Sequence, residues 1–303
     1  MKIKIMPTQY INKEGTAIMN IAQYLMTTTE GDRLRTIDSL SEEFCVSVGF
    51  IQKALTTIEH RNAVILSKQG RNGTFITQLN YRELVACAGI NNVVCAMPLP
   101  YTRHYEGLAS GLKAQIGDLP LYFAHMRGAS VRAECLRNGT YDIAIMSKLA
   151  AKELANGLVT AMTLGVHSYS HEHRLIFKKG GYDQIRRVGV DPDSPDQKIL
   201  THQSFKDKNI EIVEIHYGES LIHLTNGDID AVVWLPEAIE MEKYGLDEKS
   251  LSDLPACRDA SEAVILANGA STHITTLLRK LIRMDQLIKH QRAVVNGEIT
   301  PSY

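Results

Sequence analysis

The chain has 303 residues, 44% of them hydrophobic and 22% charged, with a formal net charge of -1. That is enough apolar material for two or three packed domains, and too little net charge for any global electrostatic attraction to nucleic acid. The five cysteines, Cys45, Cys87, Cys95, Cys135 and Cys257, have neither paired metal-ligand spacing nor the pattern of a small secreted scaffold, which points to reduced thiols in the cytoplasm. Lys2 and Lys4 precede no continuous apolar segment, and no later run approaches the roughly 18 apolar residues of a membrane span, so neither export nor a membrane partner is expected.

In chain order, Ile18, Ile21, Ala22 and Leu25 fall three and four apart and predict a supporting helix with one apolar stripe. Thr36 can cap a second helix, with Asp38 near the positive end of its dipole and Ile37, Leu40 and Phe44 turned inward. Cys45 and Val46 turn the chain. Ser47 can cap a third helix that buries Ile51, Ala54, Leu55 and Ile58 and points Val48, Phe50, Gln52 and Lys53 outward, where a recognition helix meets the major groove of double-stranded DNA. Ala63 to Leu66 favours a strand, Asn72-Gly73 is the pair a type I′ turn demands, and Thr74 to Thr77 can pair back. Arg71 sits at that tip between small residues that allow close approach to a phosphate.

Gly31-Asp32-Arg33-Leu34-Arg35-Thr36, Ser47 to Leu55 and Gly70-Arg71-Asn72-Gly73-Thr74-Phe75 together resemble the winged helix of GntR-type bacterial regulators. That resemblance implies a winged helix-turn-helix over residues 1–78, with Arg35, Ser47, Gln52, Lys53, Arg71 and Gly73 as DNA contacts. The sequence departs from the pattern at Val48 and Phe50, where arginine and a small hydroxyl residue are usual. Apolar side chains there can still touch thymine methyl groups, at the expense of charge.

Tyr81, Leu84, Val85 and Ala88 return to helical spacing and Gly89 can stop the helix, which predicts a linker helix over 79–91 that packs on the larger domain or pairs with its copy. Residues 92–303 carry an internal echo: Leu136-Arg137-Asn138-Gly139-Thr140-Tyr141-Asp142-Ile143-Ala144 returns as Leu224-Thr225-Asn226-Gly227-Asp228-Ile229-Asp230-Ala231-Val232. Its period is far too long for a solenoid. Each copy reads as a helix end, a left-handed glycine stop and a short buried strand, Ile143 to Met146 and Ala231 to Trp234. Val93 to Met97, Leu121 to Ala124, Leu158 to Leu164, Val188 to Val190, Ile210 to Ile215 and Ala263 to Ala267 supply further strands, with helices between most of them. The fold class expected is α/β with largely parallel sheets.

Two such halves, a long intervening segment and a closing helix from about His273 to Gln291 resemble the type 2 periplasmic-binding-protein fold, with Leu158 to Leu164 and Ala263 to Ala267 as the crossings between lobes. With Gly189-Val190-Asp191, Asn226-Gly227-Asp228-Ile229-Asp230-Ala231 and Pro301-Ser302-Tyr303, the chain resembles the YhfZ-type bacterial transcriptional regulators. That resemblance implies a cytoplasmic, dimeric regulator whose sensor domain responds to a small molecule.

An effector is expected between the lobes, where helix starts present unpaired amides. Gly128-Ala129-Ser130 with Arg127 is one such start; Ser194-Pro195-Asp196-Gln197 after Asp191 is a capping box with proline at the first helical position; Gly218-Glu219-Ser220 is the third. Pro98, Tyr101, Thr102, Ser147 and Trp234 are the expected walls. Arg127 would take the negative group of an anionic or zwitterionic metabolite, and Asp191 or Glu219 a positive one; the same serines and charges can equally serve only their helices. His167, His171 and His173 are the one histidine cluster, read as a solvated loop rather than a metal site. With no Walker loop, no Gly-x-Ser-x-Gly elbow and no His-Glu-x-x-His motif, neither an enzyme nor a cofactor is expected. The other readings are a lyase or transferase using Asp191, Glu219 and Ser147, and an interaction module without effector.

Overall fold

The computed structural model describes residues 12–90, 92–116, 119–235 and 240–303. The chain packs as two units, one drawn from the described residues within 1–93, 116–122 and 270–282, the other from those within 94–115, 123–269 and 283–303.

In the first unit, side-chain caps answer the unpaired amides at several helix starts. Asn12 accepts from the Gly15 amide at 2.7 Å to open α1 (Lys13–Met26), and Thr36 accepts from Ser39 at 3.2 Å to open α2 (Ile37–Phe44). Cys45 ends α2 in the left-handed region at φ 52° and turns the chain into α3 (Val48–His60). Ser47 holds the cap position of α3 but makes no side-chain cap bond; the Phe50 amide donates to its backbone carbonyl instead, at 2.9 Å. Ile51, Ala54, Leu55 and Ile58 are buried, packed with α1.

The hairpin that follows pairs β1 (Val64–Lys68) with β2 (Thr74–Leu79). Its loop is not the expected type I′ turn at Asn72-Gly73. Residues Gly70–Asn72 form a 3-10 turn, and the left-handed positions fall on Gly70 and Gly73, at φ 58° and 94°. Gly73 is also a close approach, because a Cβ there would lie 2.6 Å from the Arg33 Nε. Residues 31–34 run beside β2, with Leu34 donating to Thr74 O and Ile76 to Asp32 O. α4 (Tyr81–Cys87) is capped by Asn80, stops near the left-handed Gly89 and packs on α1 within this unit, where the sequence favoured packing on the larger domain.

The second unit holds two five-stranded sheets, one per lobe. Leading into and through the first lobe come β3 (Val93–Met97), α5 (Arg103–Gln115), β4 (Leu121–His125), α6 (Ala129–Arg137), β5 (Ile143–Ser147), α7 (Lys148–Glu153) and β6 (Leu158–Thr163). The chain then crosses to β7 (Arg174–Lys178), β8 (Arg187–Val190), α8 (Pro195–Ser204), β9 (Glu211–Glu214), α9 (Ser220–Asn226), β10 (Ala231–Trp234) and β11 (Leu246–Ser250). It returns through α10 (Pro255–Ala260) to β12 (Ala263–Asn268), followed by α11 (Thr272–Leu281), which belongs to the first unit, and α12 (Met284–Val295).

The sheet orders are β4-β3-β5-β12-β6 and β11-β7-β10-β8-β9. The βαβ connections give parallel pairs, β3 with β5, β8 with β10 and β8 with β9, while the crossing strands and β11 add antiparallel partners. In the second lobe alternate residues serve opposite layers: Leu175 and Phe177 join Val233 on one face, and Ile176 joins Val232 on the other.

The echo has a physical reason. Gly139 and Gly227 sit at φ 70° and 80° after α6 and α9, and each is followed by an aspartate at a strand start. Asp142 accepts from the Val94 amide at 2.8 Å; Asp230 accepts from the Arg186 and Arg187 amides at 3.1 and 2.8 Å. The same side chain thus ties each lobe's returning strand to the start of its neighbour.

The closing helix is two helices. Nothing in the sequence marks the break, since neither glycine nor proline stands at Ile282-Arg283. The Gln115 side-chain amide bridges the break: its oxygen accepts from the Arg283 amide at 2.6 Å, and its nitrogen donates at 3.1 Å to the Arg283 carbonyl, which also accepts from Leu287 in α12. α12 then lies close on α5 because Gly107 and Gly111 leave room: a Cβ on Gly111 would come within 2.7 Å of Leu287.

Candidate functional site

The outward side of α3 carries Val48, Gln52 and Lys53 exposed and Phe50 half-buried, with Ser47 exposed at its start. Lys53 of this face and Arg35, just before α2, are already paired at the surface. Lys53 Nζ lies 2.7 Å from Glu14 Oε2, while Arg35 is bound to Glu43 and donates to Ser39 Oγ at 2.8 Å. Arg71 is exposed at the hairpin tip beside Gly73.

In the second unit the loops after β4 and β8 meet across the cleft. Arg127 Nη1 is 3.2 Å from Asp191 Oδ2, its Nη2 is 3.5 Å from Asp193 Oδ2, and it also contacts His216 Nδ1. Asp191 is 1% exposed and is further held by the amides of Tyr217 and Asp193, at 3.0 and 2.9 Å. Gly128, at φ 79°, allows the approach, since a Cβ would stand 2.6 Å from that of Asp193. The Tyr101 and Tyr217 rings face each other at 5.5 Å, and Ser147 Oγ donates to Asp196 Oδ1 at 2.6 Å. These contacts leave a cavity of about 60 Å³.

Of the expected effector residues, Pro98, Tyr101, Arg127, Asp191 and Ser194 line that cavity. Thr102 instead accepts from the Tyr105 amide at the start of α5, Ser147 caps α7, and Ser130 meets Asp193 through its backbone amide. Glu219 is exposed and lies 3.7 Å from His223, Ser220 donates to Tyr217 O, and Trp234 packs in the apolar layer with Ile176.

Sequence reasoning missed Arg132, Asp196, Tyr105, Tyr169 and His173, all on the wall. The signal was available: Ala129, Arg132, Ala133 and Leu136 share the buried stripe of α6, which makes Arg132 a charge on an inward face. It is 3% exposed and donates to Ile145 O at 3.1 Å, Met126 O at 2.9 Å and the Tyr169 hydroxyl at 3.4 Å. Gln197 does not reach back to Ser194 as a full capping box would; it accepts from the Asp191 amide and donates to Val233 O, both at 2.7 Å.

Burial pushes the Asp196 carboxyl up to about 6 and raises the phenols of Tyr105 and Tyr169, so both tyrosines stay neutral at ordinary pH. His173 is not in a solvated loop. It is 3% exposed, its Nδ1 lacks a partner among the described residues, and burial lowers it to about 4. No group of three His, Cys, Asp or Glu placed to hold a metal occurs among the described residues, and no helix there is long and apolar enough to cross a membrane.

The chain thus joins a helix-turn-helix unit to a two-lobed domain with the fold of binding proteins. The helix-turn-helix domain family matches residues 29–76, and the YhfZ C-terminal domain family matches residues 80–303. The chain belongs to the YhfZ family. It is 46% identical to the protein YhfZ of Escherichia coli (strain K12) over 297 residues, covering 97% of this chain and 99% of that one. The crystal structure of YhfZ from Shigella flexneri matches with 48% identity and a TM-score of 0.66 over 73% of this chain and 97% of that chain. The alkanesulfonate-binding protein SsuA from Xanthomonas axonopodis pv. citri shares the fold, at 11% identity and a TM-score of 0.51, over 70% of this chain and 81% of its own.

Proposed function

We propose that this protein is a cytoplasmic, homodimeric transcriptional regulator, not an enzyme, whose two-lobed domain senses a small anionic or zwitterionic metabolite in the interlobe cleft. The observation that carries this reading is Arg132. A guanidinium buried on the cavity wall and bound to carbonyls and a phenol, with the Asp196 carboxyl close enough to feel its charge but no salt bridge among the described residues, favours an incoming anion. Asp196 and Asp191 on the same wall suit the positive end of a zwitterion.

A cavity of about 60 Å³ is well below the roughly 300 Å³ or more of a metabolite site. Entry therefore requires the lobes to part, with Arg127 leaving Asp191 and Asp193. A ligand that prefers one lobe arrangement shifts the population, and in a dimer that shift changes the spacing of the two winged helices, with Arg35, Ser47, Val48, Phe50, Gln52, Lys53, Arg71 and Gly73 facing DNA.

The test is calorimetric titration of a panel of amino acids and small carboxylates into the wild type and Arg132→Lys. Lysine keeps the charge and loses the planar fork, so an anion bound through Arg132 weakens by about tenfold or more. An acid that binds both proteins equally removes Arg132 from the site.

A further inference from the structure

A second hollow, of about 510 Å³, lies on the outer part of the second lobe between α8 and the edge strand β9. Two periodicities build it. Lys198, Thr201, His202 and Phe205 recur at three- and four-residue spacing on one face of α8, and Ile210, Ile212 and Glu214 alternate along the strand segment opposite. Phe205 is buried in the wall, whereas Ile212 is 50% exposed, an apolar side chain left open where the groove begins.

The charges around the groove are unequal. Among the residues that line the groove, Lys198, Lys206 and Lys208 outnumber the one carboxylate, Glu214. Lys208 is occupied, its Nζ 4.3 Å from the Tyr182 ring centre, and Lys206 Nζ lies 4.0 Å from the neighbouring Asp207 carboxylate. Thr201 has a buried hydroxyl with no partner among the described residues, a cost that a rotation towards an acceptor in the groove would relieve. Strand addition by another chain is disfavoured, because Glu211 and Glu214 bracket the edge.

We infer that this groove is a second ligand site, separate from the interlobe cleft, for a small amphipathic anion. Its apolar body lies on Phe205, Ile210 and Ile212, and its acidic head is held by Lys198 and Lys206. The volume falls in the ordinary range of small-molecule sites. No wall residue is shared with the cleft, although Val190 and Pro192 flank Asp191 in the chain.

The probe is 1-anilinonaphthalene-8-sulfonate bound to the full chain and displaced by octanoate. Octanoate should displace it and octylamine should not. Lys198→Gln combined with Lys206→Gln should weaken octanoate about tenfold, and Ile212→Gln, at an exposed position where folding is not at risk, should weaken it as well. Arg132→Lys should leave it unchanged. Failure of octanoate to displace the dye, equal affinity in the groove variants, or loss of binding in Arg132→Lys would each overturn the second site, and none of these results bears on whether the cleft binds a metabolite.

Discussion

The charged groups of the helix-turn-helix and those of the interlobe cleft differ in how deeply they are set. The Arg35 and Lys53 side chains are 43% and 61% exposed and pair with Glu43 and Glu14 in solvent. Such pairs contribute about 0–1 kcal/mol, so a DNA phosphate can displace the carboxylate at little cost. In the cleft, Arg132 and Asp191 are almost fully buried and every bond they make replaces lost water. The surface pairs are open to exchange with solvent ions, whereas the cleft bonds are held out of water.

The largest effect that would sharpen this contrast comes from Arg132→Ala. It takes the guanidinium from the Ile145 and Met126 carbonyls and opens a void beside Tyr169, and should lower stability by about 1–3 kcal/mol. Urea denaturation measures it, and a loss no larger than that of an exposed arginine would erase the distinction.

An intermediate effect appears with pH. The folded pKa of Asp196 is raised from 3.8 to about 6, so the native state holds a proton that the unfolded chain has released, and this group favours folding as pH falls from about 6 towards 4. His173 is lowered from 6.5 to about 4, so in that same window the unfolded chain binds the proton and folding is disfavoured as pH falls. The two slopes oppose one another. Asp196→Asn should therefore steepen acid destabilisation between pH 6 and 4, and His173→Gln should flatten it. Melting temperatures across that range test the signs, and identical profiles for both variants would contradict the burial of these groups.

The smallest effect belongs to the surface. Lys53→Ala should change stability by no more than about 0.5 kcal/mol while reducing the salt slope of DNA binding by about 1. A large loss of stability would mean that the pair with Glu14 holds the unit together and is not free to be exchanged.

Much of this was legible because local chemistry and tertiary structure agree. Thr36 caps its helix, Pro195 opens α8, and the repeated glycine stops at Gly139 and Gly227 fall where the echo placed them. What escaped notice depends on partners distant in sequence. β11 reads Leu-Asp-Glu-Lys-Ser, with no apolar alternation, and is a strand only because β7 offers its edge. The helix break at Ile282 has its partner in Gln115. In the cleft, serine-capped helix starts drew attention to Ser130, Ser220 and Glu219, whereas the wall is made by charged residues on buried faces, Arg132 on the otherwise apolar stripe of α6 and Asp196 on α8.

In the proposed function the exposed α3 face binds duplex DNA electrostatically while the two-lobed domain senses a ligand. Fluorescence anisotropy of a labelled duplex from the region upstream of its own coding sequence, titrated with the full chain at several salt concentrations, tests it most directly. Saturable binding that weakens steadily with salt and weakens further in Lys53→Ala is expected; binding indifferent to salt and to Lys53, or no binding to that or any other genomic duplex, would rule out a DNA-binding α3 face.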